Sequence, residues 1–195
     1  MLPPDVKTAA PSERELAAAI EAATRTAVTE LFATRREAFY YVALVTTGDA
    51  SPPVLSAWSF EALEATCMSK GLQPADLKWS YADSPYFGFG EHYFHDVRSL
   101  FSRRPPMDPT TSRGSWETEH AARLSCMERA LLELDRQGLF GVREARLGVL
   151  INAEVMPPDE SNTLRAIRLN PHGALKDWLR EAAEHGASKM YLTTH

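Results

Sequence analysis

The apolar positions near the start of the chain recur at helical spacing. Ser12 and Glu15 match the capping box that begins many helices. The pattern that follows predicts a helix to about Arg36, with one apolar stripe along it. The stripe consists of Leu16, Ile20, Ala23, Ala27 and Leu31.

Three apolar, β-branched runs predict strands. Residues 39–45 read FYYVALV and end in a turn over 46–49, and residues 53–58 predict the hairpin partner of that strand. A third run over residues 146–152 predicts another strand. The sequence therefore predicts a small sheet.

The other periodic segments predict helices that cover the sheet. They span residues 60–70, 91–102, 116–137, 161–169 and 173–185, with Ser59 and Ser115 as N-caps. Together these patterns predict an α+β fold with a small, mostly antiparallel sheet covered by several helices. We expect residues 1–11 to form a flexible lead-in and residues 12–195 to form a single domain.

The composition is typical of a globular protein and excludes some function classes. The 195 residues carry a net charge of −5, which disfavours a nucleic-acid binder. The first hundred residues hold 13 acidic and 8 basic side chains, whereas the remainder holds 13 of each. This asymmetry fits an ordinary solubilising surface, and it also fits a face for a basic partner.

The two cysteines and the start of the chain indicate a reducing compartment. Cys67 and Cys126 are isolated, both fall in predicted helices, and neither matches a metal motif. The start has no signal-peptide pattern, and no apolar run approaches the length of a membrane span. We expect a cytoplasmic protein that does not bind a membrane.

Residues 78–96 carry the most unusual composition in the chain. Seven of these 19 residues are aromatic, and aromatic side chains on a loop can anchor a protein partner. The alternative is that they pack the loop onto the edge of the sheet. The candidate partner-binding residues are Trp79, Tyr81, Asp83, Tyr86, Phe87, Glu91 and Asp96. Of their aromatic side chains, we expect Tyr81, Tyr86 and Phe87 at the surface and Trp79 in the core.

The same segment offers a weaker metal hypothesis. His92 and His95 would share a helix face, and Asp83 is the nearest third ligand. The spacing is not that of HExxH, and the chain has no GxSxG or GxGxxG motif. We therefore assign no catalytic residue, metal ligand or cofactor from the sequence, and a metal-assisted hydrolase stays an alternative.

Three blocks of the sequence resemble a bacterial family, domain of unknown function 4303. They are FYYVALVTTGD, KWSYADSPY, and RLNP followed by an amphipathic helix with a tryptophan. The motif positions are Trp79, Ser80, Asp83, Ser84 and Pro85. The resemblance implies a single-domain cytosolic protein without an established enzymatic activity.

Several small families of this kind are thought to act as immunity proteins encoded beside secreted bacterial toxins. The resemblance therefore implies a non-enzymatic, antitoxin-like protein that binds and neutralises a cognate toxin. Many such toxins are basic nucleases, which an acidic inhibitor would meet quickly. A regulatory domain with a small-molecule pocket lined by the same aromatic residues is the further alternative.

Overall fold

The computed structural model describes residues 9–108, 110 and 112–183. Its strands are β1 (Phe39–Thr47), β2 (Val54–Ser59) and β3 (Leu150–Met156). Its helices are α1 (Glu13–Thr34), α2 (Phe60–Lys70), α3 (Pro74–Leu77), α4 (His95–Ser102), α5 (Arg113–Arg136), α6 (Glu160–Leu169) and α7 (His172–Glu181). Two 3₁₀ turns cover Glu91–Phe94 and Ala145–Gly148. The fold is an α+β domain.

The three strands form one mixed sheet in the order β2-β1-β3. The predicted hairpin is confirmed, since β1 and β2 pair antiparallel. The prediction of a mostly antiparallel sheet is wrong, because β3 lies parallel to β1. The chain between β2 and β3 holds α2 to α5, which is long enough for the crossover that a parallel pair needs.

Several element ends differ from the sequence prediction for local reasons. The N-cap of α5 is Ser112, whose side chain accepts a hydrogen bond from Ser115 N, so the helix begins earlier than expected. The third strand begins at Leu150 because Arg146 lies in a 3₁₀ turn and donates to Asp135. The single helix predicted over residues 91–102 is instead a 3₁₀ turn over Glu91–Phe94 followed directly by α4.

The start of the domain is tied down at two points. The predicted capping box is confirmed, because the side chain of Ser12 accepts from Glu15 N and the Glu15 carboxylate accepts from Ser12 N. Of the predicted lead-in, residues 1–8 lie outside the described part of the chain. Pro11 is buried, and its carbonyl accepts a hydrogen bond from Arg104 at 2.7 Å.

The two faces of the sheet differ in polarity. One face carries apolar side chains such as Val42, Leu44 and Ile151, which belong to the main core together with residues of α1 and α5. The opposite face carries Asn152 and Glu154, both at most 4% exposed. Because alternate residues of a strand point to opposite faces, these two polar side chains share a face. Buried polar side chains need hydrogen-bond partners, so this face needs a matching polar cover.

Side chains from α6 and from the residue after it cover the outer edge of β3. Asn162 exchanges two hydrogen bonds with the backbone of Val155, at 2.8 and 3.0 Å. Asn170 does the same for Ile151, at 2.9 and 2.6 Å. Arg165 donates to Ala153 O between them, at 2.6 Å. These contacts satisfy an edge that would otherwise be free to pair with another strand.

The structure also bears on two expectations about the whole chain. Cys67 and Cys126 are free and buried, as their predicted helical positions indicated. Within residues 9–108, 110 and 112–183, no helix has both the length and the apolar composition to cross a bilayer.

Candidate functional site

The aromatic segment runs along the outer edge of β2. Ser56 donates from its hydroxyl to Tyr81 O at 2.8 Å, and Gly88 N donates to Leu55 O at 2.8 Å. The hydroxyl of Ser84 donates to Ala57 O. The alternative raised from the sequence, that the segment packs onto the sheet edge, is confirmed for these residues. They close the second edge of the sheet.

Trp79 fastens this segment to both the sheet and α7. Its ring makes edge contacts with Tyr40 and Tyr41, at centroid distances of 5.4 and 5.9 Å. A bulge in β1 between Phe39 and Tyr41 accompanies the approach of two consecutive tyrosines to one indole. The indole Nε1 donates to the Glu181 carboxylate at 3.0 Å.

Lys78 completes the contact with α7. Its Nζ lies 2.8 Å from Glu181 Oε2 and 5.0 Å from the centroid of the Trp79 ring. Hydrogen bonds from Lys78, then Arg180, then Trp79 lower the pKa of Glu181 to about 2. The Glu181 carboxylate therefore accepts hydrogen bonds from Lys78, Trp79 and Arg180 at the end of α7.

The motif residues Ser80 and Asp83 form a turn. The Ser80 hydroxyl donates to Asp83 Oδ2 at 2.7 Å, and Lys70 Nζ donates to Asp83 Oδ1 at 2.9 Å. These bonds hold the pKa of Asp83 below its usual range. In this structure Asp83 fixes the loop to the end of α2, which gives the KWSYADSP motif a structural role.

The candidate aromatic residues differ in exposure. The expected surface position of Tyr86 is wrong: the residue is 8% exposed, its ring lies 5.7 Å from that of Phe39, and its hydroxyl donates to Glu37. Burial and Glu37 raise the pKa of Tyr86 to about 12. Phe87 is 42% exposed, so its expected surface position is confirmed, and Tyr81 is half-buried.

Glu91 and Asp96 are exposed, but they lie on a different part of the surface from Asp83. Glu91 begins the 3₁₀ turn and lies 3.8 Å from Arg98, and Asp96 lies in the first turn of α4. This turn packs on α1, where Gly90 lies close to Ala27. The candidate residues thus divide between the α2–α7 side and the α1 side of the loop.

The three residues of the metal hypothesis are not brought together into a ligand set. His92 and His95 are exposed, and Asp83 is engaged by Lys70 and Ser80. In the part of the chain that the structure describes, no group of three or more His, Cys, Asp or Glu side chains could hold a metal ion.

An apolar groove beside α2, which we call the α2 groove, was not predicted from the sequence. Its volume is about 620 Å³. It is lined by Phe60, Leu63, Glu64, Cys67, Met68, Leu72, Pro74 and Lys78. Phe60, Met68 and Leu72 are 55%, 77% and 40% exposed. The sequence carried one signal for this groove: the apolar residues of α2 lie on more faces of the helix than the single face that packs on the core.

The charges around the α2 groove are mainly acidic. Exposed carboxylates at Glu61, Glu64 and Asp76 lie on α2 and α3. The two lysines of this region are both paired, Lys70 with Asp83 and Lys78 with Glu181. The groove therefore combines exposed apolar side chains with a negatively charged margin.

A second cavity, which we call the Glu154 cleft, lies over the polar face of the sheet. Its volume is about 290 Å³. It is lined by Trp79, Ser80, Tyr81, Ala82, Glu154, Met156, Pro158, Asn162, Thr163, Trp178 and Ala182. Glu154 was not predicted as a cavity-lining residue, because the predicted third strand ended at residue 152 and left Glu154 outside any predicted element.

Two donors hold the carboxylate of Glu154 in place. Tyr41 Oη donates to Glu154 Oε1 at 3.0 Å, and Asn152 Nδ2 donates to the same oxygen at 2.8 Å. Burial, followed by the charge of Glu154, raises the pKa of Tyr41 well above its usual value and also raises that of Tyr81. Both phenols therefore stay protonated at neutral pH.

Comparison with known proteins places the chain in a family. No curated protein and no solved structure matches it. The family model for domain of unknown function DUF4303 matches residues 20–171. That range includes all three strands, the aromatic segment, the α2 groove and most of the residues around the Glu154 cleft. The chain therefore belongs to the DUF4303 family.

Proposed function

We propose that this protein is a non-enzymatic binding protein, and that the α2 groove docks an apolar segment with a basic flank on a protein partner. The observation that carries the proposal is the exposure of Phe60, Met68 and Leu72 around one concave surface. Large apolar side chains clustered in a groove are typical of a protein-binding site. Single apolar side chains scattered over the surface would not indicate a binding site.

The charge around the groove supports a basic partner. Residues 60–83 carry four acidic and two basic side chains, and both lysines are already paired within the chain. The remaining carboxylates would attract a cationic surface and speed its association. Met68 suits this role because its flexible thioether adapts to the shape of a bound segment.

The finer form of the proposal is a cytoplasmic immunity protein that neutralises a cognate bacterial toxin. It is supported by the acidic balance of the first hundred residues, which suits a basic toxin domain, and by the family resemblance described above. The Trp79–Asp83 side of the loop adjoins the α2 groove through Lys78 and Lys70. Part of the predicted aromatic segment could therefore extend the contact.

The experiment that tests this function is a co-expression survival assay. The protein and the product of the gene next to its own are induced separately and together, with colony formation as the readout. Rescue of growth, together with co-purification of the two proteins, supports the immunity function. A neighbour that is harmless, or that kills equally in the presence of this protein, rejects the immunity function.

A charge-reversal variant distinguishes the two parts of the surface. Reversing Glu64, the acidic residue in the lining of the α2 groove, should slow association with the partner and flatten its dependence on salt concentration. Reversing Asp96, on the α1 side, serves as the matched control and should leave the association rate unchanged. The opposite result would move the binding surface to the second half of the aromatic segment.

A further inference from the structure

A third cavity, which we call the α7 cavity, lies between the sheet and the start of α7. Its volume is about 280 Å³, and its lining includes the rings of Tyr40, Phe60 and Trp79. Gly148, which ends a 3₁₀ turn, and Gly173, in the first turn of α7, also line it but have no side chains. A Cβ on Gly148 would meet nothing within 4 Å apart from its chain neighbours, so this side of the cavity is open.

The aromatic wall of the α7 cavity is held in place by contacts within the chain. The ring of Tyr40 lies 4.7 Å from that of Phe60 and 5.4 Å from that of Trp79, measured between centroids. The Tyr40 hydroxyl donates to Lys78 O at 2.6 Å, and Trp79 Nε1 donates to the Glu181 carboxylate at 3.0 Å. Side chains that are fixed before binding lose little conformational freedom when a ligand packs on them. The wall therefore suits a flat apolar group such as an aromatic ring.

The charged groups around the α7 cavity leave one ammonium group available. Among the described residues of its lining, the charged side chains are Lys78, Lys176 and Asp177. Lys78 lies 2.8 Å from the carboxylate of Glu181, and Asp177 lies 3.0 Å from Arg180. Lys176 is exposed and forms no ion pair within the part of the chain that the structure describes. An apolar wall with one available charged group is typical of a pocket that orients an apolar ligand through a single polar end.

We propose that the α7 cavity binds a small organic anion, a carboxylate that carries one aromatic ring. The ring of the ligand packs against Tyr40, Phe60 and Trp79, and its carboxylate accepts hydrogen bonds from Lys176. An ammonium group offers three N–H donors and so can hold a carboxylate at the open side of the cavity. The volume lies just below the usual range for ligand pockets, so the cavity selects a compact molecule.

The test is a titration of the full chain with sodium phenylacetate, with 2-phenylethanol and 2-phenylethylammonium chloride as neutral and cationic probes of similar size. The indole N–H resonances of the tryptophans are followed in heteronuclear NMR spectra. The proposal predicts saturable shifts at Trp79 with phenylacetate, weaker binding of the alcohol and the weakest binding of the ammonium compound. Trp178 lines the Glu154 cleft but not the α7 cavity, and Trp116 lies on α5, so both should shift less than Trp79.

Two tryptophan variants decide whether the ligand occupies the α7 cavity. Gly148→Trp adds a ring at an exposed position whose φ is not positive and whose Cβ has free space, and should abolish the saturable shifts. Ala174→Trp fills the cavity from α7 and gives a second answer if Gly148→Trp does not fold. Gly114→Trp is the matched control, because Gly114 is also exposed with free space at its Cβ but lies on α5 outside the lining.

A third variant tests the role of the ammonium group. Lys176→Met keeps an unbranched side chain but removes the charge, and should weaken phenylacetate binding by about two- to fivefold, as expected for an exposed ion pair. It should leave the binding of 2-phenylethanol unchanged, because the alcohol carries no charge. Lys70→Met, on α2 and outside the lining, is the matched control and should bind phenylacetate as the unchanged chain does.

The results also separate the α7 cavity from the α2 groove, since Phe60 and Lys78 line both. Met68→Glu changes the α2 groove alone and should leave phenylacetate binding intact. Loss of binding in Met68→Glu, unchanged binding in the tryptophan variants, or equal affinity for the anionic and cationic probes would overturn the proposal. The assay needs no protein partner, so its result is independent of the survival assay.

Discussion

Asn162 and Val155 form a closed pair: Val155 N donates to Asn162 Oδ1 at 2.8 Å, and Asn162 Nδ2 donates to Val155 O at 3.0 Å. The side-chain amide thus occupies the place of a neighbouring strand. This relationship explains how a three-stranded sheet with a helix beside β3 avoids an unpaired edge.

Replacing Asn162 by alanine should therefore destabilise the domain. The change leaves a buried N–H and a buried carbonyl without these partners, and each such group costs about 1–3 kcal/mol. We expect a loss of about 2–4 kcal/mol in the free energy of unfolding, measured by urea titration. Leu164→Ala, at a 39% exposed position of the same helix, is the control and should cost much less. Equal losses in the two variants would contradict the proposed edge cover.

The stability of the domain should also depend on a buried ion cluster centred on Glu119. Arg104 and Arg123 both donate to its carboxylate, at 2.6–2.8 Å. Burial opposes ionisation of Glu119, but these hydrogen bonds hold its pKa below the usual range. Arg104, in the loop after α4, also donates to Pro11 O, and Arg123 of α5 donates to Ala50 O and to Pro105 O in that loop.

Glu119→Gln leaves two buried guanidinium groups without their counterion. We expect a loss of about 3–5 kcal/mol in the free energy of unfolding, the usual effect of breaking a buried pair. Glu117→Gln removes an exposed carboxylate paired with Arg113 on the same helix, and should change stability by less than about 1 kcal/mol. Similar small effects from both variants would show that the Glu119 cluster does not stabilise the domain.

Comparing alanine substitutions at Gly90 and Gly71 separates the cost of a steric clash from the cost of backbone strain. Both have φ near +66°, which a residue with a side chain adopts at a cost of about 1 kcal/mol. A Cβ at Gly71 would meet nothing within 4 Å, whereas one at Gly90 would lie 2.8 Å from Cβ of Ala27. Gly90→Ala should therefore destabilise the domain by about 1–3 kcal/mol more than Gly71→Ala. Equal losses would mean that the 3₁₀ turn does not pack tightly on α1.

The pairing of Glu181 with Lys78 predicts a specific pH dependence. The pKa of Glu181 falls from 4.5 to about 2 on folding. Its contribution to stability is therefore complete above the unfolded value and is lost as the pH falls through the folded value. The difference in melting temperature between the unchanged chain and Glu181→Gln should shrink over that interval.

Lys78→Met gives an independent check of the same contact, because Lys78 makes the largest contribution to the lowered pKa of Glu181. We expect the Glu181→Gln substitution to lose much of its pH-dependent effect in the Lys78→Met background. A difference in melting temperature that stays constant from pH 7 downward would contradict the assigned role of Glu181.

Most helices and the hairpin could be predicted from local pattern, because caps and apolar spacing act over a few residues. Ser12, Ser59 and Gly71 all lie where the sequence places helix ends. The parallel pairing of β3 could not be predicted, because it depends on how a long connection returns to the sheet. The start of β3 was misplaced since Arg146, within an apolar run, is held in a turn by Asp135.

The candidate site residues divide in the same way, into those that local sequence predicts and those that depend on how distant segments pack. Exposure of Phe87 followed from its position in a loop, but Tyr86 is buried because Glu37 and Phe39 receive its hydroxyl and ring. The α2 groove depends on the path of α3 past α2, which periodicity does not reveal. The cavity beside Glu154 could be recognised only once its strand was aligned with β1 and the aromatic segment was placed above it.

The measurement that tests the central claim most directly is the affinity of the protein partner for two matched variants. Met68→Glu places a charge at a 77% exposed position in the α2 groove, and Leu132→Glu does so at a 42% exposed position on α5. With a partner identified by co-purification, calorimetry should show a loss of at least about 2 kcal/mol in binding free energy for Met68→Glu. Leu132→Glu should bind as the unchanged chain does. Unchanged affinity in Met68→Glu would contradict the account.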